Sequence, residues 1–163
     1  MKKILFSLLV LAFFTVSCGG EGTKKDADLG KQRKQTIASL DKEVSEGITQ
    51  LEKDIKDAIQ WNLKQVKADT EKNKNVGDEA TLKVELMKKI RPVQKIQDEA
   101  KALYEESKEI AKSIESKLDE SDLPEFDKYK ENMTTASGKI KEASANLKAA
   151  SDEFQKDFKK LGN

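Results

Sequence analysis

Three long runs of apolar residues at helical spacing, divided by two short polar breaks, limit what this 163-residue chain can fold into more than any other feature. In the first run, over about 31 to 72, Ile37, Leu40, Val44, Ile48, Leu51, Ile55, Ile59, Asn62 and Val66 recur in steps of three, four and four. Eleven residues per three turns is close to the pitch of a straight helix, so this stripe predicts a helix with little supercoil. Asn73 to Asp78, with two asparagines and Gly77, predicts its end and a turn. The second run, about 78 to 119, carries Leu82, Leu86, Ile90, Val93, Ile96, Ala100, Leu103, Ser107, Ile110, Ile114 and Leu118, and keeps a heptad from Val93 to Ile114. Pro92 lies inside it and removes a backbone donor, which predicts a kink near Arg91 or a split into two helices. After a turn over Asp119 to Asp122, the pair Asp122 and Glu125 resembles a capping box, with Pro124 in the first turn. Phe126, Tyr129, Met133, Ala136, Ile140, Ala143, Leu147, Ala150 and Phe154 then continue a heptad, followed by Phe158 and Leu161. Lys156, Lys159 and Lys160 suit the carbonyl end of that helix, and Gly162 its stop.

Three helices of similar length joined by short turns run up, down and up, giving an all-α, elongated, coiled-coil-like three-helix bundle about 60 Å long. Each helix has one apolar stripe, and 37% of the residues are charged, so a helix left alone would be marginal. The alternative is a long helical hairpin with an exposed third helix. Glu52 with Lys56, Glu85 with Lys89, and Lys148 with Asp152 are opposite charges four apart and predict exposed pairs along single helices. Reflection through the two turns sets Trp61 level with Ile90, Pro92 and Phe154, and sets Tyr104 level with Gly47, predicting that the ring packs on the glycine. Gly138 falls on an outward position.

The N-terminus has a different logic. Met1-Lys2-Lys3 is basic, Ile4 to Ser17 is apolar but too short to span a bilayer, and Thr15-Val16-Ser17-Cys18-Gly19 reads as a cleavage site around the only cysteine. These residues resemble the signal peptides of bacterial lipoproteins, with Thr15 where a leucine or valine is usual. The resemblance implies a diacylglyceryl group on the Cys18 sulfur, removal of residues 1–17 and acylation of the new N-terminus. Residues 18–30 then form the lipidated cysteine and a flexible, unstructured tether, and residues 31–163 the helical bundle domain. Gly19 is not the aspartate that retains enterobacterial lipoproteins in the inner membrane, which by the same resemblance points to the outer membrane of the cell envelope. Two or three acyl chains make such attachment effectively permanent.

The remaining composition narrows the function. A net charge of +1 offers no field for nucleic acid, and a single cysteine allows no internal disulfide. There is no histidine, no phosphate loop and no paired-cysteine motif, and an acylated Cys18 is no nucleophile. The chain is therefore expected to be non-enzymatic and without cofactor or metal, with Glu105-Glu106 and Asp119-Glu120-Ser121-Asp122 read as solvated surface and helix boundary. Trp61 is the candidate binding hot spot, although its place between Ile59 and Leu63 predicts a core or core-edge position. The reading is a structural or scaffold lipoprotein whose rod contacts envelope or surface proteins, with self-association into a homo-oligomer open to it. Two alternatives stand beside it. One is a surface adhesin, similar in plan to the small helical lipoproteins of spirochaetes. The other is a lipid-binding helical module, since the spacing of the first helix is similar to that of exchangeable apolipoproteins.

Overall fold

The computed structural model describes residues 24–72 and 79–161. Along them run α1 (Lys24–Lys72), α2 (Glu79–Ile114), one 3-10 turn (Glu115–Lys117) and α3 (Pro124–Leu161). The three helices close on one another as an up-down-up bundle, with α1 packed against both α2 and α3, so the third helix of a hairpin is not left exposed. The α2–α3 seam is the closest of the three. With 49 residues, α1 is about 70 Å long at 1.5 Å per residue, and the molecule is a rod.

The stripes read from the sequence form the core. On α3, Phe126, Tyr129, Met133, Ala136, Ala143, Leu147, Ala150, Phe154 and Phe158 are all buried. On α1 the buried set is Val44, Ile48, Leu51, Ile55, Asn62 and Val66, with Ile37, Leu40 and Ile59 half-buried. On α2 one half of the heptad, Val93, Ala100, Ser107 and Ile114, is buried and the other, Ile96, Leu103 and Ile110, only half-buried, while Gln97 is buried in the α1 seam beside Ile55 and Ile59. Two apolar clusters result, one around Leu86, Ile90, Leu147 and Phe154 and one around Ile114, Phe126, Tyr129 and Met133, with Ile140 packed against both. Each large side chain buried in this way stabilises the fold by about 1.5–3 kcal/mol.

Asn62 is the one fully polar residue of the first stripe, and the bundle satisfies it. Its Nδ2 donates to the Ala58 carbonyl and to Ser151 Oγ, both at 2.8 Å, and its Oδ1 accepts from Gln155 Nε2 at 2.6 Å. A buried amide matched by two partners on α3 fixes the register of α1 against α3, since a slip of one turn would leave its Oδ1 unpaired and its Nδ2 with the Ala58 carbonyl alone.

Several expectations are corrected. The tether was expected to stay unstructured to Gly30, but α1 begins at Lys24 and Gly30 is buried. A β-carbon on Gly30 would lie 1.7 Å from Asp119 Oδ1, so the glycine here is a close-packed element of the bundle and not a tether residue. Pro92 does not split α2, which is continuous from Glu79 to Ile114. The proline and Lys88 four residues before it are exposed, so the carbonyl it leaves unpaired faces water, while Leu86, Ile90 and Val93 hold both sides in the core. Pro124 is the first residue of α3, which moves the cap position from Asp122 to Leu123, whose carbonyl accepts the Phe126 N–H at 3.0 Å. Gly47 meets Ile140 of α3, with Cδ1 3.2 Å from where its β-carbon would be, and not Tyr104. Tyr104 approaches α1 from the α2 side and donates its hydroxyl to Asp41 Oδ1 at 3.0 Å. Gly138 faces open space as expected. The break expected over 73–78 and the stop at Gly162 lie outside the described residues.

The charge pairs are also redistributed. Lys89 bridges Glu153 and Asp157 of α3 at 2.8 and 3.0 Å, Lys139 reaches Glu99 at 2.6 Å, Lys128 reaches Glu106 at 2.7 Å, and Lys101 pairs with Glu52. Glu85 pairs with Lys88 at three residues' distance, not with Lys89. Long lysine side chains beside a packed seam reach the neighbouring helix as readily as their own next turn, so these charges join helices that the spacing rule treats one at a time.

Candidate functional site

Two regions carry what functional information the chain offers: the start of α1, which leads to Cys18, and the outer face around Trp61. Cys18, with the signal peptide and cleavage site expected around it, lies outside the described residues. The described chain begins only a short stretch beyond it, at Lys24, and is fastened almost at once.

The fastening is Arg33. It is buried, its Nη1 donates to the Leu118 carbonyl at 3.0 Å and to the Glu120 carbonyl, and its guanidinium stands 5.2 Å from the centre of the Phe126 ring. The carbonyls left over where α2 runs out into its terminal turn are thus satisfied by a cation from α1, in the position that suits a positive charge. Sequence reasoning missed this residue. The available signal was its identity, since it is one of two arginines among cations that are otherwise lysines, and a planar five-donor fork serves buried carbonyls and ring faces where an ammonium does not. Arg33→Ala is expected to lower unfolding stability by about 2 kcal/mol through loss of charge-assisted hydrogen bonds and ring stacking, and Arg33→Lys to recover only part of it. Chemical denaturation with unchanged m-value would measure both.

Trp61 is not at the core edge; it is 51% exposed. The reason is its neighbour. Asn62 is fully buried and held by Ser151 and Gln155, and adjacent residues on a helix point about 100° apart, so fixing Asn62 inward turns Trp61 toward solvent. Trp61 and Val84, the latter 53% exposed, are the two large apolar side chains left open among the described residues. The seam between α1 and α2 has two shallow depressions, one floored by Ile55 and Ile59 and one by Ile48 and Tyr104.

Of the two acidic clusters singled out in the sequence, Glu105-Glu106 is paired with lysines, and Asp119, Glu120 and Asp122 lie exposed in the α2–α3 turn. Glu105 is bound by Lys108 and Glu106 by Lys128. No group of three or more potential metal ligands occurs among the described residues. The lysine partners Lys139, Lys128, Lys112 and Lys130 hold Glu99, Glu106, Glu109 and Asp127 below the usual carboxylate range. Burial pushes the Tyr129 hydroxyl up to about 12. Lowered carboxylates favour the fold above their unfolded values, and that contribution is lost as pH falls through the folded ones. A raised phenol favours the fold below its unfolded value, and that contribution is lost as pH rises toward 12. With no histidine in the chain, the melting temperature is expected to be level from about pH 5 to 9 and to fall on either side. Melting curves followed by circular dichroism across that range would check it, and a step near pH 6 to 7 would contradict it.

No family, no curated protein and no solved structure matches this chain. No helix among the described residues is long and apolar enough to cross a membrane.

Proposed function

We propose that this protein is a non-enzymatic lipoprotein of the bacterial cell envelope, held to the outer membrane by acyl chains on Cys18 and presenting its helical rod for protein–protein contact. The observation that carries the reading is the exposure of Trp61 on a rod whose stacked aromatic rings are spent inside it. Phe126 stacks on Tyr129 and Phe154 on Phe158 within the core, while the tryptophan stands outside on a helix fixed by Asn62. A rigid aromatic side chain already held out in water costs little entropy to bind, which is the property of a contact anchor. The lipid-binding alternative loses its support here. The α1 stripe that resembled a lipid-binding face is turned into the bundle at Val44, Ile48, Leu51, Ile55 and Val66.

The test is site-specific photo-crosslinking in intact cells. A photoreactive amino acid at position 61 is expected to give a discrete protein adduct, and the same group at exposed Lys42 none. Indistinguishable patterns at the two positions would contradict a contact at Trp61. Protease added to the same cells separates the scaffold from the adhesin: protection of the rod places it inside the envelope, and degradation places it on the surface.

A further inference from the structure

The packing at the start of α1 sets which end of the rod faces the bilayer, given the anchoring at Cys18 proposed above. The stretch from Cys18 to Lys24 spans at most about 20 Å even when fully extended. From Lys24 the chain is already helix, and by Gly30 and Arg33 it is locked against Asp119, Leu118 and Glu120 at the α2–α3 turn. That turn is therefore tied to the same end of the bundle as the anchor.

We infer that the rod stands on its α2–α3 turn, with the ends of α1 and α3 and the start of α2 directed away from the membrane. The inverted arrangement would require the tether to cover the length of α1 beyond Gly30, about 60 Å, which is three times its reach. A rod lying flat would need a face with affinity for lipid. The outer faces carry mixed charges, and Trp61 and Val84 are the large apolar side chains exposed among the described residues. At the near end, Asp119, Glu120 and Asp122 are exposed, and an acidic turn does not sink into an anionic headgroup layer.

The height of the contact surface follows. Trp61 lies about 40 Å farther from the membrane than Arg33, and Val84 about 50 Å farther than Leu118, at 1.5 Å per residue. Both open apolar side chains thus belong to the outer end.

Energy transfer to the membrane tests this with the full-length acylated protein. Acylation blocks Cys18, so in Ser121→Cys and Glu79→Cys, both at exposed positions, a thiol-reactive donor labels only the introduced residue. Each variant is reconstituted into phosphatidylcholine and phosphatidylglycerol vesicles carrying a headgroup-linked acceptor, and circular dichroism establishes that it is folded. Transfer from position 121 is expected to exceed that from position 79 several-fold. Equal or reversed transfer in protein that floats with the vesicles would overturn the orientation while leaving the anchor intact. Protein that does not float at all would overturn the anchor, and the orientation with it.

Discussion

A Cys18→Ser protein is expected to incorporate no fatty acid, and a form starting at residue 19 to stay wholly in the aqueous phase on detergent partition. Each buried methylene contributes about 0.8 kcal/mol to membrane attachment, so two or three acyl chains hold a protein in a way nothing in the rod replaces. The apolar stripes of α1, α2 and α3 are turned into the core, and no described helix is long and apolar enough to cross a bilayer. Serine conserves size at position 18 but offers no sulfur for the thioether, so the change removes the chemistry and leaves the other residues of the expected signal as they were. Metabolic labelling with an alkyne fatty acid measures the effect directly. Label retained by the Cys18→Ser protein would show that the lipid, if any, is carried elsewhere.

The largest loss of stability is expected at Tyr129. Its side chain is 1% exposed, its ring stacks on Phe126 with centroids 6.3 Å apart, and its hydroxyl donates to the Ile37 carbonyl on α1 at 3.1 Å. Removing a buried aromatic ring to alanine costs about 3–5 kcal/mol, made up of lost transfer energy and the cavity that remains. In a chain of this size that lowers the melting temperature by about 6–20 °C. Tyr129→Phe keeps the ring and loses about 1 kcal/mol with the hydrogen bond, which makes it the control for packing against polarity. Thermal unfolding of the two variants side by side checks the assignment. Equal destabilisation would place the contribution in the hydroxyl and not in the ring.

The architecture was legible because it depends on periodicity, and periodicity is a property of the sequence itself. The α3 heptad is the clearest instance: the positions spaced three and four apart from Phe126 to Phe158 are the ones buried, apart from half-buried Ile140. Spacing along one helix says much less about what lies across a seam. For that reason spacing pairs Lys89 with Glu85, whereas it reaches Glu153 and Asp157, and sets Gly47 beside Tyr104, whereas it receives Ile140. Trp61 was misplaced for a related cause. Ile59, Asn62 and Leu63 all lie near the stripe, and only the partners on α3 decide that the amide, not the neighbouring indole, takes the interior position.

The start of α1 failed for another reason. Glycine and charge between residues 19 and 30 describe a tether by composition, yet Gly30 is buried against Asp119 and Arg33 satisfies the carbonyls of the α2–α3 turn. Composition carries no information about a contact made with residues some 85 positions away. The proposed anchor is the reverse case. It is read from a handful of adjacent residues around Cys18 and rests on modification and not on packing.

Intact-mass spectrometry of the protein taken from its native membrane tests the central claim most directly. A mature chain that begins at Cys18 and carries the added mass of a diacylglyceryl group and an amide-linked acyl chain is expected. A chain that retains residues 1–17, with a free thiol at Cys18, would contradict it.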